Sequence, residues 1–406
     1  MESKQADVGS ATVWNKDFIC VLISNLAMCI AHSSVHPLVA SYTIYLNAGP
    51  ILMGLLTGML YGTAFITRPI AGPAMTKLDK RKLLIFAYIL GIVAHLGYAL
   101  FQNIAAFSVF RFVSGVQYGL FGALLVTLAA QHLPRNKMAF GMGMLGFGIA
   151  VGSAIGPIFG ESILLYGTNQ RDVGYGFSLV FLFGLIINVI SIIPVVLLSP
   201  DKKSKADIAS TGAWYKNFFS FNAAYMAAVL LLVLMSQTII LAYVIELAYE
   251  QGIEGISTFF VVYSITLAIA MPLSGFLADK LGVQRVIYPA LAIYAISMLV
   301  IGSSVTLMAV LVGAVLAGIG HGSVFPALQT MSMRSEPALR RGVASNTIYM
   351  GIDIGSFFGP FIGGIVYAHS DYSFMFKTGA VPPVLAIIFF IIILPRYRRR
   401  LNELGY

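Results

Sequence analysis

The sequence predicts an all-α membrane protein of twelve transmembrane helices, arranged as two six-helix bundles with both termini in the cytoplasm. Three observations carry that prediction. Of 406 residues, 58% are hydrophobic and 10% charged, whereas soluble domains carry about a quarter charged residues. The apolar stretches run unbroken, as in LVFLFGLIINVISIIPVVLL (179–198) and PPVLAIIFFIIIL (382–394). Only helices and closed barrels satisfy their backbone in hydrocarbon, and barrel strands would alternate. Finally, GSAIGPIFGE at 152–161 returns as GSFFGPFIGG at 355–364, an offset of 203 residues or half the chain.

Apolar segments of about 20 to 28 residues place the first six spans near 18–45, 51–76, 83–101, 104–131, 138–166 and 175–198. The second six fall near 218–247, 255–278, 285–303, 307–333, 342–367 and 376–395. The first sixteen residues are polar and lack a basic region followed by a cleavage site, so span one is expected to be retained rather than removed as a signal peptide. Residues 199–217, with four lysines and two aspartates, read as the cytoplasmic linker between a bundle at 1–198 and a bundle with a basic tail at 218–406.

The formal net charge of +9 invites a nucleic-acid reading, but the basic residues follow the membrane instead. Of 25 Lys and Arg, 21 lie in the termini and the even-to-odd loops, among them Lys80, Arg81, Lys82, Arg334 and Arg398. Only Arg171 and Lys377 lie in the opposite loops. The positive-inside rule puts both termini in the cytoplasm. Cys20 and Cys29 sit on opposite sides of one helix and imply neither a disulfide nor a metal site.

The 203-residue offset holds without a gap: Pro69 meets Pro272, Gly72 meets Gly275, Gly115 meets Gly318 and Pro134 meets Pro337. Gly148, Gly152, Gly156, Pro157 and Gly160 meet Gly351, Gly355, Gly359, Pro360 and Gly363. Six spans repeated after an even number of crossings are parallel repeats, the organisation of transporters whose substrate site lies between the halves near the midplane. A helical scaffold or receptor is the alternative that the repeat alone leaves open. No phosphate-binding loop, nucleophile triad or metal cluster is evident, which argues against ATP-driven transport and against an enzyme.

Four signatures resemble the major facilitator superfamily and, within it, the twelve-span drug:proton antiporters. The first is GFLADKLGVQR at 275–285, similar to that family's loop after span eight, with Gly275, Asp279, Lys280, Gly282 and Arg285 in the signature positions. Its counterpart GPAMTKLDKRK (72–82) departs from the pattern. Thr76 stands where the acid is expected, so a latch there would be weaker or would use Asp79 from a shifted position, with Gly72 and Arg81 keeping their places. Purely topogenic charge is the plainer reading of both loops. An acid at such an end can also meet a helix N-terminus. The second signature is RFVSGVQYG (111–119), which resembles the Arg-x-x-x-Gly element associated with proton coupling. The third and fourth are the two glycine-rich stretches, which resemble the antiporter motif Gly-x-x-x-Gly-Pro-x-x-Gly-Gly. The second copy matches it fully, and the first has Glu161 in place of the last glycine.

An arginine inside a span costs about 2.5 kcal/mol or more and is expected to find a partner. Folding spans four and five as a hairpin about Asn136 brings Glu161 to the depth of Arg111, so the two are expected to pair, either as a structural ion pair or as a proton relay. Gly152, Gly156 and Gly160 line one helix face, a ridge that permits close approach, and Pro157 and Pro360 supply kinks. The resemblance makes spans five and eight, and two and eleven, neighbours at the seam between bundles, where this ridge would serve as a hinge. Asp353 lies near the middle of span eleven, with Ala150 at the equivalent first-half position. A lone acid at that depth is a functional candidate. If the resemblance holds, Arg68 on span two is its most reachable base, and the two could bridge the bundles.

The resemblance also makes spans one, four, seven and ten the walls of a central cavity. His32 and His36, at i and i+4 on span one, and His321 on span ten become candidates for proton or substrate contact, with Gln117 and Tyr118, Gln237 and Tyr243, and Phe325 and Gln329 beside them. Such a pocket, aromatic with sparse polar groups, suits an amphiphilic organic solute. The two histidines lack the companions a zinc site needs, so no metal and no cofactor are expected. His95, on span three, reads as a packing residue.

The expectation is therefore a proton-coupled secondary transporter of the inner (plasma) membrane, most simply an exporter of small organic compounds. An importer or a non-transporting sensor is the alternative. Its expected partners are a small-molecule substrate, protons and membrane lipids, with no nucleic acid, and the chain is expected to act as a monomer.

Overall fold

A computed structural model describes residues 14–133, 138–200, 219–336 and 341–403. Among them are helices and no strand, and twelve helical segments are long and apolar enough to cross a membrane, so this is a multi-pass membrane protein. Most of the linker, with Arg135, Lys137 and Asn136, lies outside the described residues.

The spans run Lys16–Tyr45, Pro50–Lys77, Lys80–Leu100, Ile104–His132, Met138–Gln170 and Val173–Val196, then Phe221–Glu250, Ser257–Leu281, Val283–Gly302, Leu307–Arg334, Arg341–Tyr367 and Tyr372–Glu403. Their starts are set by side chains that accept the otherwise unmet first amides. Asn15, Asn103, Asp172, Ser220, Thr306 and Asp371 each cap the helix that follows them. Twelve crossings put the two ends of the chain on one side, called here the terminal face; the other is the far face.

Two spans depart from straight helices. Span one is α-helical to Val35, tightens into a 3₁₀ turn at His36–Leu38 and resumes at Val39. The cause is Pro37, which has no amide to give the ladder. Span twelve opens as a short helix, Tyr372–Thr378, and restarts at Val381 ahead of Pro382 and Pro383. It then continues to Glu403, past the expected end at 395. Its final turns carry Arg396 and Arg398 to Arg400, cations that suit a helix C-terminus.

Packing is mainly within halves. Span one packs on five and six, two on four, and three on four and six; in the second half seven packs on eleven, eight on ten and nine on ten. The halves meet chiefly through span two against eleven and span five against eight. At the far face the turn His36–Leu38 and the helix after it pack on span seven. Residues 34–40 and 242–248 are buried without interruption, so this conformation is closed there.

The seam between spans two and eleven depends on glycines. A side chain at Gly54 would overlap the Pro360 carbonyl, one at Gly58 the Phe357 carbonyl, and one at Gly62 would come within 2.7 Å of the Phe357 ring. At i, i+4 and i+8 these three form the ridge that crosses the halves. The repeated ridge works differently from its expected place at the seam. Gly152 and Gly156 face Cys29 and Ser33 of span one, and Gly355 and Gly359 face Leu231 and Met235 of span seven. Both copies therefore close helix pairs inside their own half, as does Gly160 against Ser34; Gly363 faces Tyr243 and Met375 more loosely. Pro157 and Pro360 stay inside continuous helices.

Candidate functional site

Where the glycine seam ends, an ion pair begins. Asp353 is 0% exposed and Arg68 7%. Arg68 Nη2 donates to Asp353 Oδ1 at 2.9 Å, and Nε donates to Oδ2. Tyr349, one turn earlier on span eleven, lies with its ring centroid 5.1 Å from the guanidinium carbon. This two-pronged grip is the strong form of an arginine–carboxylate contact, and it ties one half of the chain to the other.

Arg111 is not paired with Glu161. It is 1% exposed, and its Nε donates to Leu56 O at 3.0 Å and its Nη2 to Thr57 O at 3.1 Å. Nη2 also meets His36 Nδ1 at 3.3 Å. The reason is packing. Spans four and five are consecutive and share depth, but span four packs on two and three while span five packs mainly on one, six and eight. Glu161 is half-buried with its Oε2 hydrogen-bonded to no described residue.

The break at Pro37 brings His36 to Arg111. Because a guanidinium can only donate, His36 Nδ1 must accept, which leaves Nε2–H to face the Tyr61 hydroxyl at 3.4 Å. His32 stacks on His36 with centroids 5.1 Å apart and lies 4.9 Å from the Tyr118 ring. His32, His36, Arg111 and Tyr118 line a cavity within the first half together with Ser114, Gln117, Asn188 and His95. Gln117 Nε2 donates to Asn188 Oδ1 at 2.9 Å. His95 was expected merely to pack; it is buried and lines this cavity, with Nδ1 2.8 Å from Gly91 O.

The second half holds a smaller nest without a cation. His321 Nδ1 lies 2.7 Å from the Tyr263 hydroxyl, Gln237 Nε2 donates to the same hydroxyl at 3.4 Å, and the Phe325 ring stands edge-on to His321 at 5.9 Å. Gln329 is half-buried a turn further on. Tyr243 does not join this nest: it is 0% exposed and its hydroxyl donates to Pro360 O at 2.8 Å. It was expected in the cavity because its span is a wall, but its turn faces span eleven near the far face.

Sequence reasoning missed Glu246, 6% exposed in the last turns of span seven, which accepts a hydrogen bond from Ser41 of span one across the halves. An acid inside an apolar span was the available signal. On the terminal face, Asp79 accepts from the amides of Arg81 at 2.8 Å and Lys82 at 3.3 Å, capping span three. Arg81 reaches the Val196 carbonyl. Gly282 has φ +87°, a region glycine enters freely, and Arg285 N donates to Gly282 O at 3.1 Å. Lys280 and Arg285 are exposed. The surroundings of Gly72, Gly275 and Asp279 lie outside the described residues.

Comparison with known proteins follows this architecture. The profile of the Major Facilitator Superfamily matches twice, over residues 21–244 and 217–404. Relatives named "Putative multidrug resistance protein MdtD" occur in Serratia proteamaculans (strain 568), 27% identical, and Escherichia coli (strain K12 / DH10B), 25% identical. Each match spans 147 residues, 36% of this chain and 31% of the relative, so the chain covers about a third of the length of these relatives. The solved nucleoside transporter NupG superposes with a TM-score of 0.73 at 14% identity over 94% of this chain and 99% of that one, and its point mutant with 0.74 at 14% over 93% and 100%. A bacterial homolog to the human lysosomal transporter Spinster gives 0.72 at 14% over 97% and 98%. At these identities the superpositions speak for the fold alone.

Proposed function

Because the chain belongs to the Major Facilitator Superfamily and is a transporter rather than an enzyme, we propose that it is a proton-coupled secondary transporter working by alternating access. It carries small organic or amphiphilic compounds across a bacterial inner membrane, with the terminal face in the cytoplasm, in the direction of export. The two halves, 1–198 and 218–406, are the moving bodies, joined by the linker at 199–217, and the protein works as a monomer among lipids.

The observation that carries this reading is the Arg68–Asp353 pair across the seam. Protonating Asp353 removes the negative charge and leaves a buried guanidinium unpaired, a state that costs about 3–5 kcal/mol. A charge crossing the membrane gains about 2.3 kcal/mol per 100 mV, so proton entry and the breaking of this pair lie on one energy scale. Opening the seam lets Arg68 reach water and relieves the cost. The far-face contact of Ser41 with Glu246 would part in the same movement.

Proteoliposomes with an imposed pH gradient test the proposal. Solute moving against the proton flow supports export. Solute moving with it would make the protein an importer built on the same pair. Flux independent of the gradient would end the proton-coupled reading.

A further inference from the structure

The geometry points to Arg111 as the docking site for the anionic group of a small organic acid, inside the first half of the chain. This deepens the transport reading by naming the substrate's chemical class, and it rests on that reading only for the claim that the anion is carried.

The inference starts from a charge imbalance. Arg111 is 1% exposed, and none of the fourteen residues lining its cavity is Asp or Glu. The acid that span-depth matching offered, Glu161, forms no ion pair with it among the described residues. Arg68, in the same half, has its carboxylate; Arg111 has two backbone carbonyls, one imidazole nitrogen and the Tyr98 hydroxyl. Those are dipoles rather than counter-charges, and a buried cation without an opposite charge is costly.

A guanidinium offers five N–H donors. Nε and Nη2 are committed to Leu56 O, Thr57 O and His36 Nδ1, and the Tyr98 hydroxyl, which itself donates to Phe110 O, is also hydrogen-bonded to Arg111; all four partners are neutral. Around it stand neutral groups able to donate as well: Ser114, Tyr118 and His32. Each of these also accepts, but none carries a negative charge, so the described lining holds one cation and no anion. Carboxylate, sulfonate and phosphonate oxygens would supply the missing charge, meeting the guanidinium at its Nη1 end because Nε and Nη2 are already committed. The cavity measures about 30 Å³ in this conformation, room for water alone, so an organic body can enter only when the surrounding side chains part; the Tyr118 and His32 rings, with centroids 4.9 Å apart, then offer it a surface. The matching nest of the second half, at Tyr263 and His321, carries no arginine, so the anionic end is assigned to the first half.

The test uses the full chain in phosphatidylcholine nanodiscs and matched probe pairs: naphthalene-2-sulfonate against its sulfonamide, phenylphosphonate against its diethyl ester, and succinate against succinamide. Binding is read by thermal unfolding and calorimetry. The anion of at least one pair should stabilise the protein while its neutral partner does not. Arg111→Gln should weaken that binding roughly 30-fold or more, the scale of losing one member of a buried charge contact, and Arg111→Lys should retain part of it. Equal responses to both members of every pair, no response to any anion, or anion binding unchanged in Arg111→Gln would each overturn the inference. If Arg111→Gln does not fold, the matched pairs on the parent protein decide alone.

A lipid headgroup phosphate presents the same chemistry, so the titration is repeated in discs containing phosphatidylglycerol. An unchanged dissociation constant supports a soluble anion; competition by the lipid assigns the site to a headgroup and overturns the proposal. Failure here is separable from failure of the transport reading. Gradient-driven flux of neutral solutes without anion binding would sink this inference alone, and anion binding without flux would sink only the other.

Discussion

Two arginines sit inside spans of the first half, and the protein treats them in opposite ways. Arg68 on span two reaches across the seam into the two oxygens of Asp353. Arg111 on span four stays within its own half, held by the carbonyls of Leu56 and Thr57 and by His36. Both are buried, so burial alone does not distinguish them. The location of the counter-charge does: one cation is balanced by the opposite half and so reports on whether the halves are together. The other meets no carboxylate among the residues lining its cavity, the imbalance on which the anion-docking proposal rests.

The sharpest way to break this contrast is Asp353→Asn. It should destabilise the closed seam by about 3–5 kcal/mol, visible as a lower unfolding temperature and as flux that no longer responds to pH. Combining it with Arg68→Gln should restore much of the stability, because removing both charges also removes the cost of burying one alone. A double variant as unstable as the sum of the singles would show that the two do not act as a pair. In the parent, acidification sufficient to protonate Asp353 should reproduce the single variant's behaviour.

Next in size is Gly58→Leu, which sets a side chain against the Phe357 carbonyl. Overpacking of this kind costs about 1–3 kcal/mol, and here it should fall on the seam, raising the reactivity of a cysteine placed at Ser41. Gly156→Leu, a clash of similar size against Ser33, falls within one half and should lower expression and unfolding temperature without exposing Ser41. Equal effects of the two on that cysteine would erase the distinction between the ridges.

Ser41→Ala removes one hydrogen bond to Glu246 and should loosen the far face by about 1 kcal/mol, measured as a distance change between spin labels on spans one and seven. Smallest of all is Glu161→Gln. With no arginine partner to lose, it should shift stability by about 0.5 kcal/mol or less in thermal unfolding. A loss of several kcal/mol would reinstate the Arg111–Glu161 pair.

Much of the fold was legible because the bilayer enforces simple rules: the spans, the repeat and the all-helical class follow from apolar run length and backbone satisfaction. The Arg68–Asp353 pair was legible because each residue is scarce for its depth and the family resemblance set spans two and eleven side by side. Arg111 went astray because helix rise gives depth but not neighbours. Which spans touch is decided by packing among all six helices of a half, and consecutive spans four and five hardly meet. Gly54, Gly58 and Gly62 were readable as a ridge but have no counterpart 203 residues later, where Ser257, Val261 and Ile265 stand. The repeat therefore gives no sign of them. Glu246 was overlooked because it lies near the end of its span, where an acid is unremarked.

The missing counterparts of those three glycines have a mechanical consequence. At Gly54 and Gly58 span two presents bare main chain to the carbonyls of span eleven, and the Phe357 ring lies over Gly62; main-chain surfaces of this kind are held by weak carbon–hydrogen contacts to carbonyl oxygens. At Gly54 and Gly58 no side chain of span two has to leave a socket when one body tips against the other. The joint can therefore roll smoothly over most of its length, while a single charged catch at its inner end decides when it may move.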